Sequence, residues 1–478
     1  MSNYNNPYQK SIDWLMVVLY MLLVGFGWLN IYAANFDPEQ KIFFSVDAEY
    51  FKQLIWIGVS LVSVGVIMLI DSKMFVEIAF LFFGISILLL IVVLGIGREV
   101  NGAKSWFSLG PISFQPVEFT KIGTSLVIAR MMSRYNFQFT FDNYLKIFGI
   151  LLIPISLVLL QNDTGSALIF FVFLLPMYRE GMTVHILLLG VLCIVGGIAS
   201  LLSDSAIVMS IMLAVGIIAT FVIFNKGGDK IDAIIAVAIC ILSAGALGAY
   251  YYFVSNPKFL PEYIPLGAAA LMSVYAIVRS LIQRVSKIAI VLMYLWTGLV
   301  VSFATGYIFD NILIEHQRTR INILFGIEDD PLGAGYNVNQ SLIAIGSGGL
   351  TGKGFLQGTQ TKLNFVPKQS TDFIFCTVGE EWGFIGTSAL VIVYLIFFIR
   401  IISLAEKQHS VFSRVYGYCV ACIFFFHFAV NICMTIGLMP VIGIPLPFFS
   451  YGGSSLWGFS MLLFIFLKLD TDRNELIR

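Results

Sequence analysis

Charge is what this sequence has least of. Only 12% of its 478 residues are charged, and 28 basic and 28 acidic side chains cancel to a formal charge of zero. With 58% hydrophobic residues and a mean hydropathy of +0.90, it is excluded from the soluble globular class. Cysteine and histidine are scarce as well. Five of the six cysteines fall in apolar stretches, which excludes a disulfide framework, and Cys419-Val-Ala-Cys422 lies in a hydrophobic segment without a redox-fold context, so it reads as packing. The four histidines are scattered, with none at zinc spacing. Low-complexity tracts, basic nucleic-acid tails and a separate soluble domain are absent, so no nucleic-acid partner is expected.

What is there instead is apolar sequence in runs near the ~20 residues that span a bilayer. Spans are predicted near 12–33, 52–70, 75–96, 116–132, 144–160, 165–178, 184–203, 206–224, 231–253, 264–282, 287–309, 384–404, 411–437 and 445–467. That makes an all-α polytopic membrane protein of about fourteen transmembrane helices. A barrel is excluded because the runs are continuous and do not alternate. Alternate loops carry Lys73; Arg130 and Arg134; Arg179; Lys226 and Lys230; Arg279, Arg284 and Lys287; then Lys407 and Arg414. The intervening loops are short or acidic, as with Asp37, Glu39, Asp47 and Glu49 against Lys41. The positive-inside rule then puts both termini in the cytoplasm and the 310–381 loop outside. Lys10 precedes a first run too long for a signal peptide, so that run is expected to remain as a helix.

The 310–381 loop is the one long polar segment, and it does not read as a linker. Its glycines from Gly346 to Gly354 invite comparison with a phosphate loop, but the register fails. Ser347 stands where the first glycine belongs, and Gly354 where Ser or Thr belongs. The better reading is backbone that turns sharply or passes close to another surface. Lys353, Lys362 and Lys368 are placed to attract diphosphates, although solvation is the ordinary role of any one such lysine. Asp372 enters an apolar run in Thr371-Asp372-Phe373-Ile374-Phe375, where partial desolvation would raise its pKa towards a general base's working range. The bland alternative is a solvated loop acid, as for Glu328, Asp329 and Asp330.

Ionisable residues at membrane depth are the other candidates. In Gln115-Pro116-Val117-Glu118-Phe119-Thr120-Lys121, Pro116 suits a first helical turn and Glu118 and Lys121 share a face at i,i+3. Such a pair can orient a catalytic group or bind a lipid pyrophosphate; equally, it can tie two helices together. Trp106, beside Lys104 and flanking glycines, is either an interfacial anchor or a support for a lipid-linked substrate. Asp163 reads as a helix cap.

Gly102-Ala103-x-x-Trp106, Phe114-Gln115-Pro116-x-Glu118-Phe119-x-Lys121, Asp330-Pro331-Leu332-Gly333-Ala334-Gly335-Tyr336 and the 340–376 run resemble the SEDS family of cell-wall polymerases. So do Gly437-Leu438-Met439-Pro440 and the stretch from Pro445-Leu446-Pro447 to Ser450-Tyr451-Gly452-Gly453-Ser454-Ser455. Gly358-Thr359-Gln360 and Pro-Leu-Pro-Phe-Phe-Ser-Tyr resemble the elongation branch more than the division branch. The resemblance implies a peptidoglycan glycosyltransferase that polymerises lipid II outside the cytoplasmic membrane. It places the family's essential carboxylate on Asp372, its loop tryptophan on Trp106, and its helix-borne Glu and Lys on Glu118 and Lys121. Substrate contacts are expected from Lys104, Gln115, Gln340, Ser341, Lys353, Gln360, Lys362, Lys368, Ser450 and Ser454 within the matching motifs. Two departures stand out: Gln161-Asn162-Asp163-Thr164-Gly165 replaces Gln-Pro-Asp-Leu-Gly, and Ser370 stands where His is common.

The expected chemistry gives Asp372 the base role, Lys121 (with Lys362 or Lys368) the leaving diphosphate, and Glu118 the positioning of Lys121. A divalent cation, Mg or Mn, is a possible cofactor at Glu118 or Asp372; no nucleotide, haem or flavin is expected. The implied partners are lipid II and undecaprenyl pyrophosphate, a class B penicillin-binding protein transpeptidase, and membrane proteins of the elongation complex. The family plan has about ten spans. It matches 1–183 and 286–478, leaving 184–285 as an expected insert of extra helices. A flippase for lipid-linked precursors, or a non-catalytic scaffold, would share many of these features.

Overall fold

Inside an apolar run the backbone N–H and C=O groups have no water to bond, so each run satisfies them within a helix. The computed structural model describes residues 12–36, 48–100, 102–109, 112–224, 230–253, 260–284, 287–313, 315–325, 327, 335–363 and 365–473. Lys10, Asp37, Glu39, Lys41, Asp47, Lys226, Glu328, Asp329 and the first five residues of the Asp330–Tyr336 motif lie outside them. The described chain divides into two compact units, residues 1–182 with 329–478, and residues 183–328.

The first unit opens with α1 (Trp14–Ala34), α2 (Glu49–Leu69) and α3 (Ser72–Ile96). Three short antiparallel strands follow, β1 (Arg98–Val100), β2 (Ala103–Leu109) and β3 (Ile112–Phe114), in the order β1-β2-β3. Pro116 then starts α4 (Pro116–Met132), where its missing N–H is harmless. Next come α5 (Phe141–Leu160), α6 (Thr164–Ile169), a 3-10 turn (Phe170–Phe173) and α7 (Leu174–Arg179). The span expected at 165–178 is thus interrupted. Pro176 has no N–H to offer the carbonyl of Val172, and the α-helical ladder lapses there.

The second unit contains α8 (Val184–Leu202), α9 (Ser205–Phe224), α10 (Lys230–Phe253), α11 (Tyr263–Gln283), α12 (Ile288–Asn311) and α13 (Glu315–Leu324). Met209, Leu213 and Ile217 of α9 pack with Met272 of α11 and with Leu295 and Leu299 of α12. Trp296 donates to Ser273 Oγ at 2.9 Å across that core.

The first unit resumes with α14 (Tyr336–Ser347), α15 (Thr359–Lys362), α16 (Ile374–Glu406), α17 (Val411–Thr435) and α18 (Gly453–Thr471). Among the described residues, eleven helices are long and apolar enough to cross a membrane. The remaining three predicted spans correspond to the 17-residue α4, to the interrupted α6–α7 stretch and to α10. One predicted span begins late. Residues 445–452 are not helical, because Pro445, Pro447 and the positive φ of Phe448 break the ladder, and α18 starts only at Gly453.

The glycine-rich stretch has a specific partner. Lys353 N donates to Glu380 O and Gly354 N to Glu381 O, each at 3.0 Å, while Phe384 N returns to Gly349 O at 2.9 Å. This seam lies along a break in α16 at Gly383 (φ 64°, ψ −161°). A Cβ on Gly348 would stand 2.0 Å from Gly379 O, and one on Gly352 (φ +80°) 2.1 Å from Glu381 O. Close approach, not phosphate binding, therefore accounts for these glycines. Gly352→Ala should lower stability by about 2–4 kcal/mol through clash and backbone strain; an unchanged melting temperature in detergent would contradict this.

Candidate active site

Two helix-borne charges form the deepest part of the site. Lys121 Nζ lies 2.7 Å from Glu118 Oε2 one turn earlier on α4, and both residues are at least 96% buried. Buried ions need compensation from each other and from further polar groups. Lys121 finds a second partner on α17, where His427 Nε2 is 3.1 Å from Nζ. The Phe459 ring of α18 completes the enclosure, its centroid 4.9 Å from the ammonium. Gly458 allows α18 to close on α4; a Cβ there would sit 3.0 Å from Glu118 Cβ.

Asp372 lies in a turn just before α16. Thr371 N and Phe373 N both donate to Lys368 O, at 3.1 and 3.2 Å, and Lys368 takes a left-handed φ of 55°. That turn brings Lys368 Nζ to 3.7 Å from Asp372 Oδ2. Burial pushes the Asp372 carboxyl above the ordinary carboxylate range, and the Lys368 ammonium pulls it partly back. The side chain is still 13% exposed, so a proton can reach and leave it.

The two charged groups are joined by α17 and the segment after it. His427 and Asn431 stand one turn apart on α17, both buried. His427 Nδ1 is 3.2 Å from Pro445 O. Asn431 Nδ2 donates to Ile444 O and to Asp372 O, each at 2.8 Å. The left-handed Gly443 (φ 79°) passes beside the carboxylate, and a Cβ there would be 3.5 Å from Asp372 Oδ2. Tyr451 N holds the same turn by donating to Ser370 O at 2.8 Å.

The remaining predicted residues separate into groups. Gln115 Nε2 donates to Asp163 Oδ2 at 2.9 Å, while Asp163 Oδ1 caps α6 through Ser166 N at 3.0 Å. Lys104 N donates to Gln161 O, and Lys104 Nζ to Gly95 O at 2.9 Å. Trp106 is half-buried in β2, opposite Arg98. Lys353 and Gln360 gather at Glu380, which is fully buried. Glu380 accepts from Lys353 Nζ at 2.7 Å, from the backbone N–H groups of Gln360 and Thr361 at 2.9 Å, and from the Thr361 hydroxyl at 2.6 Å. Ser341 donates to Thr435 O at 2.9 Å and Ser450 Oγ accepts from Leu446 N at 2.8 Å, so both hydroxyls are committed to backbone. Ser454 is buried at the start of α18, Gln340 is half-buried on α14, and Lys362 is exposed with Nζ 5.9 Å from the Phe36 centroid.

His427, Asn431 and the role of Glu380 were not singled out from sequence. Polar residues one turn apart in an apolar helix were the available signal for the first two, under the same rule that picked out Glu118 and Lys121. Glu380 had no comparable signal, because its partners come from 19 to 27 residues away.

Fold and site together define a polytopic helical membrane protein with a buried Glu–Lys pair inside the helices and a carboxyl group at their edge. A profile of the FtsW/RodA/SpoVE family, described as "Cell cycle protein", matches residues 13–226 and 264–475. This chain belongs to that family, the SEDS proteins. Peptidoglycan glycosyltransferase RodA of Treponema pallidum is 31% identical over 469 residues, covering 94% of this chain and 95% of the relative. Peptidoglycan glycosyltransferase MrdB of Escherichia coli K12 is 29% identical over 372 residues, covering 78% and 72%. A chain from a solved peptidoglycan synthase complex, described as coordinating polymerization and crosslinking, aligns over 97% of this chain and 99% of its own, with a TM-score of 0.61 and 25% identity. The Thermus thermophilus rod shape determining protein RodA shares the fold, with a TM-score of 0.53 and 23% identity over 97% of this chain and 98% of that one.

Proposed function

We propose that this chain is a peptidoglycan glycosyltransferase that polymerises lipid II into β-1,4 glycan for cell elongation. The observation that carries the reading is the polar linkage from Glu118–Lys121 through His427, the 443–445 segment and Asn431 to Asp372. It would join a proton acceptor and a cation in one connected arrangement, and the reading is supported by relatives that bear that activity in their names. Asp372 takes the proton of the acceptor C4 hydroxyl as its oxygen bonds to the donor's C1. The bond from C1 to the pyrophosphate oxygen breaks, and Lys121 stabilises the charge gathering on the departing undecaprenyl pyrophosphate. Attack opposite the leaving group converts an α-linked donor to a β-linked product.

The alternation of basic loops supports an orientation with both termini cytoplasmic and the Asp372 face outside the cytoplasmic membrane. Lys104, Trp106, Lys362 and Lys368 would receive the substrate directly, while buried Gln115, held by Asp163, and Lys353, held by Glu380, would act behind them. The likeness to a chain from a peptidoglycan synthase complex supports a class B penicillin-binding protein as partner. The donor set bears on the divalent cation. Among the described residues, no three His, Cys, Asp or Glu side chains gather as a metal site. Glu118 is already paired with Lys121 and Asp372 with Lys368. A Mg or Mn ion at either carboxylate would take its other ligands from substrate phosphates and water.

The test is polymer formation from labelled lipid II by the purified protein with its transpeptidase partner in detergent, where no leaflets exist to cross. Glycan strands are expected. A protein that forms none there yet translocates lipid II in vesicles would be a flippase, and one that does neither a scaffold.

The charge next to Asp372 sets the pH dependence. The base works ionised, so activity is present above the carboxyl's raised pKa and is lost as pH falls through it. Lys368→Ala removes the pull towards lower pKa, and the acid limb of the rate profile should move to higher pH. Folding runs the opposite way: the raised pKa favours the folded state below the unfolded value, and this contribution is lost as pH rises through the folded one. An acid limb unmoved by Lys368→Ala would remove Asp372 from the base role.

A further inference from the structure

We infer that His427 is a positioning residue for Lys121, holding its ammonium in the direction of the leaving pyrophosphate. This rests on the reading of Lys121 as the leaving-group cation. The tautomer follows from the partners. A carbonyl oxygen only accepts, so the 3.2 Å approach of Nδ1 to Pro445 O puts the ring proton on Nδ1. Nε2 is then a lone-pair acceptor and receives an N–H from Lys121 at 3.1 Å. A doubly protonated ring would set N–H against N–H and charge against charge, so the imidazole is neutral beside a charged lysine.

The ring itself is fixed. Pro445 holds Nδ1, and Phe459 meets the imidazole edge-on at 4.8 Å with an interplanar angle of 83°. Lysine carries its charge on a flexible four-carbon stem, and one partner on its own helix leaves the ammonium free to swing. Glu118 is that first partner, on the same helix. His427 adds a second acceptor from a different helix, so two of the three N–H vectors are defined by independent elements and the third is defined with them. The chemical type of the second acceptor matters. Another carboxylate there would overcompensate Lys121 and repel an incoming phosphate, whereas a neutral imidazole fixes direction and leaves the positive charge in place.

Pro445 follows the Ile444 carbonyl that Asn431 holds, and Asn431 also holds the backbone of Asp372. The ring therefore takes its register from the segment that positions the base. Cation and base are set from one strut.

Two amide substitutions separate the functions of the two ring nitrogens. The His427→Gln amide reaches the Nε2 position and restores an acceptor for Lys121; the His427→Asn amide reaches only the Nδ1 position and restores the donor to Pro445. With lipid II as substrate, His427→Asn should lose roughly tenfold to a hundredfold in kcat, the span of one hydrogen bond to a charged group, with KM little changed. His427→Gln should lose at least tenfold less. If His427 only anchors the 443–445 segment, the order reverses. That reversal, equal losses in the two variants, or wild-type rates in both would each overturn the inference. Melting temperatures confirm that folded proteins are compared, and His427→Leu, which supplies neither donor nor acceptor, replaces Asn should that variant not fold. The Glu118→Gln/Lys121→Met protein is the control on the underlying reading. If it polymerises at the wild-type rate, Lys121 has no leaving-group role. If it is inactive while Gln and Asn fail to separate, only the role of His427 falls.

Discussion

Asp372→Asn should reduce lipid II polymerisation by about 10²–10⁴-fold, the usual contribution of a positioned base, while the protein folds as before. The structure explains why the two effects separate. Asn431 binds the backbone carbonyl of Asp372 and not its carboxylate, so an amide of the same shape breaks none of the hydrogen bonds that hold the turn. Burial already disfavours the ionised carboxylate, so the melting temperature should be equal or slightly higher at neutral pH. The measurement is a paired one, polymer length on gels and thermal melting of the same preparation. Activity within a few-fold of wild type would show that the proton goes elsewhere.

The second large effect concerns the buried pair, and it has two parts. Lys121→Ala leaves the Glu118 carboxylate enclosed between α4, α17 and α18 without its cation, which typically costs about 3–5 kcal/mol. The i,i+3 register alone gives no reason to expect that loss, so a variant that folds normally would be the simpler forecast from sequence. Burial of both residues changes it. Replacing the two together, as Glu118→Gln with Lys121→Met, removes both charges and should recover most of the stability. Polymerisation should stay lost in the double variant, because the leaving group no longer meets a cation. A stable, active double variant would reduce the pair to a strut between helices.

Much of this architecture is legible in the chain because the bilayer restricts the choices so severely. Each predicted span has a helix at its place, since apolar runs of that length can satisfy their backbones in one way only. The exceptions are local and have visible causes, the prolines at 176, 445 and 447. The glycines at 348 and 352 are readable as close-approach positions, but not what they approach, because the matching backbone lies some thirty residues further along. Site residues divide in a similar way. Glu118 and Lys121 declare themselves through local spacing, and Asp372 through its motif. His427 and Asn431 act through backbone carbonyls at 372, 444 and 445, and sequence carries no record of which carbonyl a side chain will meet.

The i,i+3 placement of the glutamate and lysine has a consequence for how the chain is made. Their eventual companions lie more than three hundred residues downstream, and the ribosome delivers them late. Two lone charges in an apolar segment would oppose its passage into lipid, but a pair on adjacent turns of one helix can neutralise itself as the helix forms. α4 can therefore enter the bilayer as an electrically quiet segment, long before α17 exists to receive it. The pairing that later organises the chemistry first serves as a permit for insertion.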